Sequence, residues 1–318
     1  MEDEAPARRR HPVLATVAVL LCALVAVPTV SRALGAEPGL LGVLTAVMPF
    51  VTVVAVVALL VALLSRNLVV IGVAALLAVV NVAWQVPIYV ADPGDSGHPV
   101  LRVMASNLRF GSADAQDVVD LVKAQDVDVL ALEELTPDAV RRLHDAGLDD
   151  LLPYHVARPE DSFTGTGLWS RLPLTDERTL AGTISQTVAA RATVAGTVVT
   201  VVAVHPLAPA PYDHTGRGED FAALRTDLAQ VSGPVVVAGD FNATRDQAPF
   251  RGLESDGFRD AADQAGAGFQ PTFPHTGDSR PLVAIDHVVG RDLPWRATSW
   301  QTFPVFRTDH LAVVATYG

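Results

Sequence analysis

Three long apolar segments fill the first part of the chain, before about residue 92. They contain no Asp, Glu, Lys or Arg and run over Pro12–Ser31, Pro38–Ser65 and Asn67–Ala91. A helix needs about 20 predominantly apolar residues to cross a bilayer, so the pattern predicts three transmembrane helices. Core helices of a soluble protein rarely lack a polar face, and a cleaved signal peptide would account only for the first segment.

The charges that flank these segments predict their orientation, because Lys and Arg in short loops tend to stay on the cytoplasmic side. Arg8, Arg9 and Arg10 precede the first segment and Arg66 lies in the second loop, whereas Arg32 in the first loop opposes the assignment. We therefore expect a multi-pass protein of the cell membrane. The expected organisation is a cytoplasmic N-terminus at 1–11, three transmembrane helices at 12–92, a linker at 93–98 and an extracytoplasmic globular domain at 99–318.

Strand-like apolar runs alternate with loops and helical patterns after the linker. The runs are VLRVMASNL, VDVLALEEL, GTGLWSRLPL, ARATVAG, TVVTVVAVHP, PVVVAGDFN, AIDHVVG and HLAVVATYG. Between the first two, Ala115, Val118, Val119 and Val122 have the spacing of one helix face, with Ser112 as the expected N-cap. The run EDFAALRTDLAQV predicts a second amphipathic helix. Many strands with helices between only some of them favour an α/β fold of two packed sheets with helices on the outer faces.

Composition adds constraints on partners and compartment. Residues 99–318 contain 18 Lys plus Arg and 29 Asp plus Glu, a net charge of −11, whereas nucleic-acid-binding domains normally carry a basic surface. The only cysteine, Cys22, lies in the first apolar segment, so neither a disulfide framework nor a cysteine-based metal site is expected. The single lysine among many arginines, alanines and valines suggests a GC-rich, bacterial genome.

Polar residues stand at the ends of six strand-like runs. They are Asn107, Glu134, His205, Asp240 with Asn242, Asp286, and Asp309 with His310. An Asn or Asp alone at a strand end is typical of a turn, and a lone His is more often structural than catalytic. Together they contain the groups that a metal-assisted phosphoryl-transfer site needs.

Each residue type has a chemical role in such a site. Mg²⁺ prefers oxygen ligands, which Glu134 and Asp309 could supply. Asp240 could orient or deprotonate a water, and an extended chain would turn Asn242, two residues on, to the same side. Hydrogen bonds to the charged phosphate oxygens would come from Asn107, Asn242, His205 and a protonated His310. Asp286 would then hold an imidazole in its charged form.

The ordered motifs resemble the signatures of the endonuclease/exonuclease/phosphatase superfamily. The superfamily includes DNase I, AP endonucleases, inositol-polyphosphate phosphatases and neutral sphingomyelinases. The motifs are ASNLRF, VDVLALEEL, GLWSRLPL, VVAVHP, VVVAGDFNA, AIDHVV and RTDHLAVV. The resemblance covers about residues 99–318 and implies a DNase I-like four-layer sandwich as the catalytic domain of a membrane-anchored member. It also implies a metal-dependent phosphoric ester hydrolase with Mg²⁺ as the cofactor and Mn²⁺ as the alternative.

Roles for individual residues follow from the resemblance. Glu134 would be the main metal ligand, with Asp309 and Asn107 completing the metal region. Asp240 would position or deprotonate the attacking water, Asn242 would steady the water or the phosphate, His205 would contact the phosphate, and Asp286 with His310 would form a carboxylate–imidazole pair. One departure is Glu133, where the family commonly has Gln; strand alternation would turn it away from Glu134.

The resemblance leaves the substrate open, because members of the superfamily act on DNA, RNA, inositol phosphates and phospholipids. The acidic domain and its short linker to the membrane favour a phosphoesterase at the outer membrane surface. Its substrate would be a phosphate ester or pyrophosphate, such as a lipid-linked envelope phosphate. The first alternative is an extracytoplasmic metal-dependent nuclease, and the second is a non-catalytic membrane-bound interaction module. The expected partners are the phosphate-ester substrate and the membrane, with nucleic acid less favoured.

Overall fold

The computed structural model describes residues 11–94, 97–209, 216–277 and 279–318. The chain divides into two compact units, Met1–Pro87 and Ile88–Gly318. Arg8, Arg9 and Arg10, on which the predicted orientation depends, lie outside the described residues, as do residues 95 and 96 of the predicted linker.

The described residues contain three helices that are long and apolar enough to cross a membrane: Pro12–Leu34, Met48–Ser65 and Leu68–Tyr89. The first unit holds α1 (Pro12–Leu34), α2 (Leu40–Ala46), α3 (Met48–Ser65) and α4 (Leu68–Gln85), and a 3-10 turn (Val86–Tyr89) begins just before its end. The second predicted segment is therefore divided between α2 and α3. Pro49 lies in the first turn of α3, where its missing N–H is not needed.

Small side chains form the contacts among these helices, and large ones point outward. Ala18, Ala58, Ala62 and Ala74 are buried together, whereas large side chains such as Leu20, Leu60 and Leu76 are more than half exposed. Inside the bundle, Asn81 Nδ2 donates to Thr29 Oγ1 at 2.9 Å. Small residues at helix contacts and apolar residues on the outside are typical of membrane helices, so the first unit fits membrane insertion.

The second unit begins before the predicted boundary at residue 92. Gly268 N donates to Ile88 O at 2.6 Å and Asp92 N donates to Gln264 O at 2.9 Å. Asp92 also forms an ion pair with Arg259, at 2.8 Å. These contacts attach the start of the connecting segment to the second unit.

Twelve described strands form two six-stranded sheets in this unit. The first sheet has the order β11-β12-β1-β2-β4-β3 and the second has the order β5-β6-β7-β8-β10-β9. In chain order, the strands are β1 (Leu101–Asn107), β2 (Val129–Glu133), β3 (Tyr154–Arg158), β4 (Thr166–Ser170), β5 (Thr175–Leu180), β6 (Thr187–Val194), β7 (Thr197–Val204), β8 (Val235–Asp240), β9 (Arg259–Asp260), β10 (Asp286–Arg291), β11 (Ala297–Pro304) and β12 (Leu311–Tyr317). The eight predicted runs correspond to β1, β2, β4, β6, β7, β8, β10 and β12.

Helices cover the outer faces of both sheets. They are α5 (Ala115–Ala124), α6 (Pro137–Asp145), α7 (Leu148–Leu151), α8 (Gly216–Ala229) and α9 (Ala248–Ser255), whereas Ala261 of the short α10 (Ala261–Gln264) packs between the sheets. Val118 of α5 packs with Leu130 of β2 on one outer face, and Leu224 of α8 packs with Val237 of β8 on the other. A third cluster, which includes Val103 of β1 and Val236 of β8, fills the space between the sheets. The four-layer sandwich is therefore confirmed.

The N-cap of α5 differs from the prediction. Asp114, not Ser112, caps the helix by accepting from Gln116 N and Asp117 N. Ser112 lies in the preceding loop, where its hydroxyl donates to Arg109 O at 2.7 Å.

Strand directions bring the predicted polar residues to one end of the sandwich. β1 and β2 are parallel, as are β7 and β8, so their carboxyl ends meet at the same edge of each sheet. β10 is antiparallel to β8, which places Asp286 directly opposite Asp240. β12 is antiparallel to β1, so its start lies beside the end of β1.

Candidate active site

Asp240 occupies the centre of this end of the sandwich and is buried. Its Oδ1 accepts from Asn242 N at 2.7 Å, and its Oδ2 accepts from Asn107 Nδ2 at 3.0 Å. Burial opposes its ionisation, but the positive charge of His310 and the hydrogen bond from His205 lower the pKa of Asp240 to about 2. Asp240 is therefore a carboxylate at neutral pH.

Two histidines face Asp240 from different strands. His205 Nε2 lies 3.5 Å from Asp240 Oδ2, and His205 Nδ1 is 3.0 Å from Phe163 O. A carbonyl can only accept, so Nδ1 carries a proton. Burial opposes the charge on this ring, but Asp240 outweighs it and raises the pKa of His205.

His310 and Asp286 form the predicted carboxylate–imidazole pair. His310 Nδ1 lies 3.1 and 3.0 Å from the two oxygens of Asp286, and its Nε2 lies 3.8 Å from Asp240 Oδ2. Burial opposes the charge on His310, but Asp286 and Asp240 raise the pKa of His310 to about 10. The ring is thus positively charged at neutral pH, with its Nε2 directed toward Asp240.

Glu134 lies on the other side of Asn107. Its Oε1 accepts from Asn107 Nδ2 at 3.2 Å and its Oε2 accepts from Phe110 N at 2.7 Å. Glu134 has φ 53° and follows the last residue of β2, so a left-handed turn rather than the strand directs its side chain. Asp309 is partly exposed, and its Oδ2 lies 3.7 Å from Arg109 Nε.

Asn242 reaches the site by a different backbone path from the one predicted. β8 ends at Asp240, and Asn242 has φ 49°, a left-handed conformation that Asn tolerates better than most residues. The predicted extended chain at this point is therefore wrong. The Asn242 Nδ2 donates to Pro206 O at 2.9 Å, which fixes the segment that follows His205.

Six of the eight predicted residues line one cleft of about 570 Å³: Glu134, His205, Asp240, Asn242, Asp309 and His310. Asn107 and Asp286 are buried beneath it and bond to these residues. The remaining lining residues are Arg109, Phe110, Phe163, Pro206, Leu207, Ala208 and Phe273. No role was predicted for these residues, although Arg109 and Phe110 are the last two residues of the motif ASNLRF.

Two sets of groups could hold a metal ion. Among the described residues, one group of three acidic or histidine side chains has its ligand atoms within 4.8 Å of one another: Asp240, Asp286 and His310. This group is not the predicted one, which consists of Glu134, Asp309 and Asn107. In the predicted group, Glu134 and Asp309 offer carboxylate oxygens, which suit Mg²⁺ better than a set containing a ring nitrogen. Asn107 instead donates its Nδ2 to Glu134 Oε1, and its Oδ1 accepts from Arg109 N.

Glu133 lies beneath the site and not in the cleft. It is fully buried, and among the described residues neither of its carboxyl oxygens has a hydrogen-bond partner. Gly239 leaves room for it, because a Cβ on Gly239 would lie 3.0 Å from Glu133 Oε1. Burial, together with the negative charges of Asp286 and Asp240, raises the pKa of Glu133 well above its ordinary value.

Replacing Glu133 with Gln is expected to stabilise the protein at neutral pH but not at acid pH. An acid whose folded-state pKa is raised destabilises the folded state above its unfolded pKa, and the effect grows until the pH passes the folded-state pKa. The gain for Glu133→Gln should therefore vanish near pH 4 and reach at least about 1 kcal/mol at pH 7. Thermal unfolding of the full chain in detergent and EDTA at both pH values measures it. The exposed Glu177→Gln is the control, and an equal gain at both pH values would contradict the explanation.

Comparison with known proteins agrees with this geometry. The model of the Endonuclease/Exonuclease/phosphatase family matches residues 104–310, more than half of the chain. The chain belongs to this family. A comparison with curated protein sequences finds no match.

Solved structures share the fold of this family member at low identity. A humanized TDP2 from D. rerio is 16% identical, with a TM-score of 0.57, and the match covers 69% of this chain and 98% of that one. The 3′ phosphatase NExo from Neisseria, bound to product DNA hairpin, is 20% identical, with a TM-score of 0.54, covering 69% of this chain and 99% of that one. An endonuclease/exonuclease/phosphatase from Bacteroides vulgatus is 16% identical, with a TM-score of 0.54, covering 69% and 98%.

Proposed function

We propose that the protein is a Mg²⁺-dependent phosphoesterase that hydrolyses a phosphate ester or pyrophosphate carried by a lipid at the outer membrane surface. The observation that carries this proposal is the arrangement around Asp240. A buried carboxylate faces two histidines, while Glu134 and Asp309 line the same open cleft. A carboxylate beside charged donors and further carboxylate oxygens is the set that metal-assisted hydrolysis of a phosphate ester uses.

Glu134 and Asp309 would hold the metal ion, with Asn107 beside them. Glu134 accepts one hydrogen bond on each carboxyl oxygen, and a carboxylate has about four lone-pair sites, so acceptor capacity remains. Both side chains line the cleft, where water and substrate oxygens would complete the shell that Mg²⁺ prefers. When bound, the metal would supply positive charge for the phosphate oxygens. Asp240, Asp286 and His310 are a poorer fit, because they are already paired with one another.

Asp240 would orient the attacking water. Its pKa of about 2 makes Asp240 a weak base that stays charged at neutral pH. It would therefore orient the water by accepting a hydrogen bond from it, rather than by removing its proton. Asn107 Nδ2 bonds to both Asp240 and Glu134 and thereby fixes the distance between the water-orienting carboxylate and the proposed metal ligand.

His310, His205 and Arg109 would bind the phosphate. His310 is charged and directs Nε2 toward the cleft, and Asp286 fixes the ring through Nδ1. Arg109 lines the cleft beside Asp309. Charged donors aimed at phosphate oxygens stabilise the charge that develops during transfer.

A nuclease is the second candidate function. Two proteins of similar fold have DNA bound: TDP2 from D. rerio, with a single-strand DNA product, and NExo. The excess of acidic residues after residue 98 opposes the long-range attraction that nucleic-acid binding uses. A non-catalytic module is disfavoured, because all eight predicted polar residues are present and six of them line one cleft.

Cleavage by the full chain in detergent is the test of the proposed function. With Mg²⁺, we expect phosphate or headgroup release from farnesyl pyrophosphate or dioleoylphosphatidylglycerol, and loss of release in EDTA that added Mg²⁺ or Mn²⁺ restores. Single-stranded DNA and RNA are the comparison substrates. Preferential cleavage of DNA or RNA would replace the lipid proposal with the nuclease, and no metal-dependent cleavage of any substrate would favour the interaction module.

A further inference from the structure

Three exposed phenylalanines lie around the candidate active site. Phe110 and Phe163 line the cleft and are 63% and 37% exposed, and Phe306, three residues before Asp309, is 68% exposed. We call these three residues the apolar rim. Other phenylalanines of this unit, such as Phe221 and Phe250, are buried in the core.

The backbone holds the apolar rim in a disfavoured conformation. Arg109, Phe110 and Gly111 have φ of 46°, 51° and 68°, a left-handed run in which only Gly is comfortable. The Phe110 N–H that this run presents bonds to Glu134 Oε2 at 2.7 Å. The conformation that places an exposed aromatic ring at the cleft is thus the one that positions the proposed metal ligand.

The loops that carry Phe110 and Phe306 are also joined to each other. Ser112 Oγ lies 2.7 Å from Arg109 O and 3.0 Å from Arg307 O, and Asp114 N donates to Phe306 O at 2.9 Å. Phe306 N in turn donates to Asp117 Oδ2 at 3.0 Å. Phe110 and Phe306 are therefore presented to solvent by bonded loops, so their exposure is not the result of loose chain ends.

We propose that the apolar rim binds the hydrocarbon chain of an amphiphilic phosphate ester while its phosphate lies in the cleft. The inference rests on the proposed function and adds the part of the substrate that gives specificity. Exposed rings gain free energy when they bury apolar surface. The same chain has three helices fit to cross a membrane, which would keep it among lipids.

Nucleobases are a different ligand that aromatic rings could stack on. Such sites combine the rings with a positively charged groove. Here Arg109 at the rim is already beside Asp309, and the residues after 98 carry a net charge of −11. The hydrocarbon chain is therefore the occupant that the charges favour.

Matched substrates of different chain length test the proposal. The pairs are farnesyl and dimethylallyl pyrophosphate, and dioleoyl- and dihexanoylphosphatidylglycerol, with single-stranded DNA as a third arm. The variant is Phe110→Asn combined with Phe306→Ser, because Asn tolerates the left-handed conformation at 110. We expect the ratio of kcat/KM for the long to the short member to fall about tenfold, mainly through KM.

The control is Val198→Ser. Val198 is 53% exposed and lies near the start of β7, at the opposite end from His205, so this variant should keep the wild-type ratio. Binding of the same pairs is also measured in Asp240→Asn protein, with and without the two phenylalanine substitutions. Absence of cleavage by the wild type refutes the proposed function. Equal affinity of the two Asp240→Asn proteins for the long-chain substrates refutes the proposed role of the apolar rim. A loss confined to DNA would assign the rim to nucleobases and likewise overturn the proposal.

Discussion

Replacing Asp240 with Asn is expected to lower metal-dependent hydrolysis about 10³-fold without unfolding the protein. The substitution keeps an oxygen that can accept from Asn242 N, so the turn after β8 should persist. It removes the negative charge that faces His205 and His310 and that would orient the water in the proposed reaction. The loss should fall on kcat, because the charge would act on the attacking water and not on the bound ester.

The matched control for this experiment is Asp256→Asn. Asp256 forms an ion pair with Arg225 at 2.6 Å, and both side chains are partly exposed, so the variant changes the same functional group outside the cleft. Its kcat should equal that of the wild type in Mg²⁺, with melting temperatures recorded for both variants. Retention of more than about a tenth of the wild-type kcat by folded Asp240→Asn would remove Asp240 from the catalytic set, since an essential catalytic group contributes at least about a hundredfold.

The strands that the sequence did not predict share one position in the fold. β3, β5, β9 and β11 are the four edges of the two sheets. A strand in the centre of a sheet is buried on both faces and reads as an apolar run, as β8 does. An edge strand such as β5, TDERTL, is almost wholly exposed and forms because β6 offers it hydrogen bonds, which leaves no hydrophobic pattern in its own sequence.

The sequence predicts the site residues that lie at the ends of central strands. Asn107 and Asp240 end central strands, Asp286 begins one and His205 follows one. The pattern of these strands is clear, and parallel pairing brings such ends together. The left-handed residues were not predictable in this way. Glu134 and Asn242 leave their strands with positive φ, and the contacts that stabilise this conformation come from residues distant in sequence, such as Pro206 for Asn242.

Replacing Asp286 with Asn is expected to move the alkaline limit of activity to lower pH. Asp286 is the first of the charges that raise the pKa of His310 to about 10, and burial would lower that pKa once the carboxylate is gone. The wild type should keep a flat kcat from pH 7 to 9.5, where His310 is charged. The variant should lose activity about tenfold for each pH unit above its lowered pKa, with partial recovery near pH 6.

The free energy of unfolding should also depend on His310, and it should fall as pH rises because the pKa of His310 is raised in the folded state. The stabilisation from charged His310 is fully present below its unfolded pKa of about 6.5 and is lost as pH rises toward about 10. Wild-type protein in EDTA should therefore become less stable between pH 7 and 10, and Asp286→Asn should show a smaller decline.

A second buried pair provides the control for these measurements. His287 Nδ1 lies 2.7 Å from Asp260 Oδ2, and neither residue lines the cleft. Asp260→Asn breaks a comparable buried carboxylate–imidazole contact, so it should reduce stability while leaving the pH limit of kcat unchanged. If Asp260→Asn and Asp286→Asn shifted the limit equally, the shift would report general loosening of the fold, and His310 would lose its role as the charged donor. A shift confined to Asp286→Asn would identify the charge on His310 as the quantity that Asp286 controls.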